Sequence, residues 1–262
     1  SGLYMDMTES RFDFESGAAS RTVSMSTNLS FWNVLEKPSW VSVSPESGEA
    51  GEHTLTINVE DNPNTTKREG RVVVGNQGLS LADTLWVTQE GKSFGPLETV
   101  LQFENVASSN TLDISTDGDW TVTTSDGWIT VAPSSGHGNG QVTVTVEANE
   151  TDNERTGLLS VAVGGTVQYV NVVQKGRYFT IDRGPSASLP SKGGTIELGI
   201  ATNQAWTAAV KNQSSWLALS ATQGQGDAKL VISAQDNSSL ESRTDTIVFT
   251  PANKQGVKLA VK

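Results

Sequence analysis

Apolar and polar residues alternate with a period of two along most of this chain. Leu55-Thr56-Ile57-Asn58-Val59 and Val142-Thr143-Val144-Thr145-Val146 are strict cases. Such alternation marks antiparallel strands with one buried and one wet face. Clusters of Pro, Gly, Asn and Asp punctuate the runs, as in Asp61-Asn62-Pro63-Asn64, Gly136-His137-Gly138-Asn139-Gly140 and Gly224-Gln225-Gly226-Asp227, and these are turn formers. No stretch carries an i, i+3, i+4, i+7 apolar stripe. The pattern predicts an all-β chain.

The alternation is itself repeated. Trp32-Asn33-Val34, Trp120-Thr121-Val122 and Trp206-Thr207-Ala208 lead a second tryptophan at Trp40, Trp128 and Trp216, and these second tryptophans are spaced by 88 residues. After the first two come Pro45-Glu46-Ser47-Gly48 and Pro133-Ser134-Ser135-Gly136; the third has Ala221-Thr222-Gln223-Gly224. Arg68, Arg155 and Arg243 hold the same register further on, each before an apolar strand. Gln89-Glu90-Gly91 and Gln174-Lys175-Gly176 close the first two copies. A fixed period with several anchors is the signature of tandem domains. The expected fold class is all-β, three tandem immunoglobulin-like β-sandwich domains arranged end to end, over residues 1–91, 92–176 and 177–262, each with six or seven strands. The third copy is expected to be C-terminally incomplete, since its Gln-x-Gly is due just after Lys262. The joints are short, which predicts a semi-rigid stalk.

Composition adds mostly exclusions. The chain has 262 residues and a formal net charge of −11. That balance disfavours a phosphate backbone as partner, so no nucleic acid is expected. No apolar run reaches the ~20 residues that cross a bilayer, so no direct membrane insertion of this segment is expected. There are no cysteines, which removes disulfides and thiolate chemistry.

The motif Trp-[Ile/Val/Leu]-x-[Val/Leu]-x-Pro-x-x-Gly, with the alternating strand, the Arg-x-Gly turn and the closing Val-Thr-Gln, resembles the BACON family. These are immunoglobulin-like modules of Bacteroidetes surface and secreted proteins. The resemblance is best in the second copy and weakest in the third, where Ala221 replaces the proline. It implies an extracytoplasmic setting, at the cell surface through an outer-membrane lipoprotein anchor or secreted. It implies partners among host or dietary glycans and mucin, or other surface proteins in cell adhesion. The family's modules often precede glycan-degrading domains, so a pure spacer presenting a further domain, or a non-catalytic fragment of such an enzyme, is the alternative.

Six of the seven tryptophans (Trp32, Trp40, Trp120, Trp128, Trp206 and Trp216) belong to the repeat and are read as packing residues;. Arg68, Arg155 and Arg243 are expected to lie over such a ring or to pair with a carboxylate. Trp86 differs. Leu85 and Val87 alternate inward, leaving Trp86 outward with Thr84 and Thr88. The second copy has Asn171 there and Tyr169 two positions earlier on the same face. Trp86 and Tyr169 are the candidate carbohydrate-binding residues. The only histidines, His53 and His137, have no partner for a metal, and no Gly-x-Ser-x-Gly elbow occurs;. Asp117-Gly118-Asp119 looks calcium-like but lacks further oxygen ligands and is read as a turn. Asn64, Asn149 and Asn237 begin Asn-x-Ser/Thr triplets read as chance. No catalytic residue, metal or cofactor is expected.

Overall fold

In a computed structural model the chain is all-β, and the structure describes residues 2–252 and 256–262. Its buried apolar side chains fall into three separate clusters, between Met7 and Val87, Leu101 and Val172, and Phe179 and Val261. Two sheets sandwich each cluster. In the first sandwich one sheet runs Met5–Met7, Ala19–Thr27, Gly51–Val59, Val41–Ser44. The other runs Arg11–Phe14, Leu81–Gln89, Arg68–Asn76, Trp32–Glu36, Ser47–Gly48.

The second sandwich pairs Ser108–Ile114, Gly140–Val146, Ile129–Ala132 with Val100–Phe103, Thr166–Gln174, Arg155–Val163, Asp119–Thr123, Ser135–His137. The third pairs Phe179–Ile181, Gly194–Thr202, Ala228–Ala234, Leu217–Leu219 with Ser186–Ala187, Val257–Val261, Asp245–Pro251, Ala205–Val210, Gln223–Gln225. The alternation does what it predicts: Leu55, Ile57 and Val59 are buried, as are Val142, Val144 and Val146.

Strand segments exceed the expected six or seven per copy. Among the described residues there are nine, eight and nine. The excess has a cause. The opening strand changes sheet partway: Met5–Met7 pairs antiparallel with Ala19–Thr27, then Arg11–Phe14 crosses over and pairs parallel with Leu81–Gln89. Phe179–Ile181 and Ser186–Ala187 repeat the crossing. In the second copy the first half is a single bridge, Phe94 to Thr116. A strand of two or three residues opposite each leading tryptophan adds the rest, such as Ser47–Gly48 facing Trp32–Asn33.

The leading tryptophans Trp32, Trp120 and Trp206 are buried, and each indole N–H donates to a backbone carbonyl, of Glu49, Gly138 and Gly226. A buried indole needs such a partner. The second tryptophans, at the foot of each edge strand, lie under a guanidinium: Arg68 over Trp40 at 4.5 Å, Arg155 over Trp128 at 4.2 Å, Arg243 over Trp216 at 4.5 Å. The ring contact is the one expected from the repeat. Among the described residues the guanidinium N–H groups of these three arginines go to backbone carbonyls and, for Arg68 and Arg155, also to a glutamine side-chain oxygen, and not to a carboxylate.

Hydrogen bonds cross the first joint. Ser16 Oγ donates to Asp117 Oδ2 at 2.7 Å, and the backbone N–H and hydroxyl of Ser93 donate to Asp117 Oδ1 at 2.6 and 2.9 Å. Lys92 Nζ pairs with Asp61 at 2.6 Å, and Thr65 N–H donates to the Gly164 carbonyl at 3.2 Å. Burial pushes the Asp117 carboxyl up, but these hydrogen bonds outweigh it and bring it down to about 2. At the second joint Arg177 reaches Glu150 at 3.2 Å and Asp152 at 3.8 Å, and Asn203 Nδ2 donates to the Gly176 carbonyl.

Candidate binding faces

Trp86 stands on the outer face of the five-stranded sheet of the first sandwich, 42% exposed, while Leu85 and Val87 beside it are fully buried. Arg11 faces it from the parallel neighbour and Arg71 from the antiparallel one. Both arginines are held. Arg11 Nε meets Asp13 at 2.9 Å and its Nη2 meets Glu69 at 3.3 Å; Arg71 Nε meets Glu36 at 2.9 Å. The hydrogen bond from Arg71 keeps the Glu36 carboxyl below its ordinary range, and those from Thr88 and Arg11 do the same for Asp13. Thr88 shares this outer face yet is buried, because its hydroxyl bonds Asp13 under the charged rim. Unlike the repeated tryptophans of the second set, Trp86 has no cation over its ring among the described residues.

The second sandwich has a different surface at the same place. Tyr169, 58% exposed, faces Ser160 across the ladder. Asn171 takes the position of Trp86 and lies between Leu158 and Val100, both exposed. With Val167 also exposed, this face is apolar where the first one is ionic. In the third copy Ala260 occupies the position of Trp86, opposite Ser186. The two candidate residues therefore sit on corresponding sheets of neighbouring sandwiches, on non-equivalent strand positions and in unlike surroundings.

Other candidates are absorbed by the fold. Asp117 belongs to the joint, and Asp119 bonds His137 Nδ1 at 2.7 Å on the surface. His53 packs edge-on against Trp32 at 5.0 Å. Among the described residues no group of three or more His, Cys, Asp or Glu is placed to hold a metal ion. Asn149 is almost fully buried, its amide donating to the carbonyls of Asn153 and Lys175; Asn62 does the same in the first copy. Asn62, Asn149 and Asn237 hold one repeated loop-closing position. The residues that sequence reasoning passed over are Gln89 and Gln174. They were visible as part of a closing motif, but their buried amides were not.

A run of β-sandwiches with short hydrogen-bonded joints defines a tandem immunoglobulin-like protein. The chain belongs to the BACON family. Residues 96–177 match the family model described as the viral BACON domain, and residues 30–90 and 204–262 match BACON, described as a putative N-terminal binding domain. A 78-residue segment is 32% identical to the xyloglucan-specific endo-β-1,4-glucanase BoGH5A of Bacteroides ovatus, covering 30% of this chain and 16% of that enzyme. The chain thus corresponds to under a fifth of that relative.

Among solved structures, the B. ovatus GH5 xyloglucanase in complex with an XXXG heptasaccharide matches at 30% identity and TM-score 0.30, over 32% of this chain and 19% of that one. The I9–I11 tandem of titin matches over 98% of each chain at 8% identity and TM-score 0.43. No helix of the described residues is long and apolar enough to cross a membrane.

Proposed function

We propose that this chain is a non-catalytic, extracytoplasmic stalk that carries a weak glycan-contact face at Trp86, with a second contact at Tyr169. The observation that carries the reading is the exposed Trp86 ring between two arginines already held by carboxylates. A flat ring suits the apolar face of a pyranose. The flanking ion pairs offer fixed donors and acceptors to hydroxyls, and their carboxylates disfavour an acidic sugar. A neutral glycan, such as the xyloglucan that the B. ovatus relative is named for, fits this chemistry better than an acidic one. The domains of this stalk divide at residues 91/92 and 176/177, and attachment to the outer surface would leave the sheet faces accessible.

Affinity gel electrophoresis in xyloglucan and in mucin tests the reading. Retardation by xyloglucan that is lost in Trp86→Ala, with unchanged thermal stability, is expected. Retardation unaffected by Trp86→Ala and Tyr169→Ala would remove both faces. No retardation in any neutral glycan would leave the second reading, a spacer that presents another domain, which the hydrogen bonds between Ser16, Asp117 and Ser93 at the first joint favour.

A further inference from the structure

The outer face of the five-stranded sheet differs in charge from one sandwich to the next. In the first it carries Arg11, Asp13, Glu69 and Arg71, and in the third Lys258 stands exposed beside buried Leu259. In the second, among the described residues, the outward positions of Val100–Phe103, Thr166–Gln174, Arg155–Val163 and Asp119–Thr123 hold one charged side chain. It is Asp119, at the rim, which His137 Nδ1 meets at 2.7 Å. A protein of net charge −11 repels its own kind over most of its surface;. This face is where two copies can meet without apposing like charges.

The ladder also sorts this face by size. On the strand Thr166–Gln174, Val167 and Tyr169 stand 42% and 58% exposed. The neighbouring strand sets Ala162 against Val167 and Ser160 against Tyr169. A ridge of large side chains thus runs beside a furrow of small ones. An isologous contact requires a patch that complements itself, and a ridge one strand away from a furrow does so. A two-fold axis between the two strands, parallel to them, lays the ridge of each copy in the furrow of the other. Tyr169 then covers the second copy's Ser160, Val167 covers its Ala162, and both contacts recur in reverse. An axis running across the strands would instead set ridge on ridge.

We propose that this face is the contact between two copies of the chain, packed sheet on sheet about that axis. Its outward positions number about a dozen, roughly half of the 20–30 residues a side that a standard interface uses;. The dimer is therefore weak and reversible. Exposed Leu158 and Val100, flanking Asn171 in the next row, extend the apolar contact along the same strands. The dimer covers Tyr169, so a glycan contact there belongs to the free chain, whereas Trp86 is on another sandwich and lies outside the patch.

Sedimentation velocity on the full chain, from about 1 µM to about 1 mM, covers the range of a weak dimer. The sedimentation coefficient should rise with concentration, and more steeply at high salt, because salt screens the repulsion between two acidic chains joined by an uncharged face. Tyr169→Lys and Ser160→Asp each place a charge in the contact and should weaken association about tenfold or more, with the Tm unchanged since both side chains point outward. A one-to-one mixture of these two variants should associate again. The new ammonium and carboxylate then meet across one half of the contact, while Tyr169 meets Ser160 across the other. Trp86→Ala should dimerise like the parent, and both face variants should keep any retardation by xyloglucan that Trp86 confers, so this contact and the glycan reading stand or fall separately. A parent that stays monomeric throughout, a dimer that survives both charged variants or is lost in Trp86→Ala, or a mixture of folded variants that stays monomeric would each overturn the proposal.

Discussion

Gly136 lies directly across the ladder from Trp120, and a Cβ placed on it would come 2.3 Å from the indole. Gly48 and Gly224 stand in the same relation to Trp32 and Trp206, at 2.8 and 2.4 Å. The glycine at the end of the repeated Pro-x-x-Gly motif is thus the floor on which the buried ring rests. It is a requirement of packing, independent of any ligand.

Gly136→Ala should therefore destabilise the second sandwich by about 1–3 kcal/mol, the usual cost of overpacking a close-packed core. The indole can move only by giving up its hydrogen bond to the Gly138 carbonyl. Gly127→Ala, where nothing lies within 4 Å, is the control and should stay within about 0.5 kcal/mol of the parent;. Urea unfolding followed by tryptophan fluorescence separates the two.

Much of the fold was legible because the same physical constraints recur at one period. The Trp and Arg anchors repeat since each core needs the same ring, floor and cover. The outward direction of Trp86 followed from Leu85 and Val87. The sheet crossing between Met7 and Arg11 did not, because both halves alternate and look like one strand or two alike. The burial of Thr88 was equally hidden, since it depends on Asp13 from a strand over seventy residues away. The importance of Gln174 could be read as a motif, while its role required knowing which carbonyls converge there.

That convergence makes the glutamines sensitive. Gln174→Leu keeps the approximate volume but leaves three carbonyls and Arg155 Nε without their partner. A loss of about 2–4 kcal/mol is expected, in line with the desolvation of several buried polar groups. Gln168→Leu, at a partly buried position in the same strand with one bond to the Leu97 N–H and one to the Gly95 carbonyl, should cost less. Thermal denaturation of the two variants side by side provides the check.

The first joint should respond to acid. The Asp117 carboxyl titrates at about 2 in the folded chain, below the roughly 3.9 of a free aspartate;. A depressed carboxylate contributes to the joint fully above the higher value and loses that contribution as pH falls through the lower one. Small-angle scattering is expected to show a wider spread of arrangements of the first two sandwiches between about pH 4 and pH 2. Asp117→Asn, which cannot ionise, should show no such transition in that window. A parent profile identical to that of the variant would count against the joint's dependence on this carboxylate.

One site has been filled in three ways, and this gives the most demanding test. Pro38, Asp126 and Ser214 occupy the same position in successive copies, and Gly70, Gly157 and Asp245 occupy the position opposite. In the first copy the proline lies where a Cβ on Gly70 would be, at 2.2 Å. In the second, Asp126 accepts from the Leu158 N–H while Gly157 leaves it room. In the third the carboxylate has changed sides. Asp245, buried, accepts from Ser214 Oγ at 2.5 Å and from the backbone N–H groups of Asn212, Ser214 and Thr246. Burial pushes its carboxyl up, and these hydrogen bonds more than offset that, holding it below the ordinary range. Asp245→Gly alone should cost about 2–4 kcal/mol, since several donors lose their acceptor at once. Adding Ser214→Asp rebuilds the arrangement of the second copy and should recover part of the loss, whereas Ser214→Asp alone places two carboxylates together and should destabilise. A double-mutant cycle by chemical denaturation measures the coupling, and a coupling near zero would show that the two positions do not share one site.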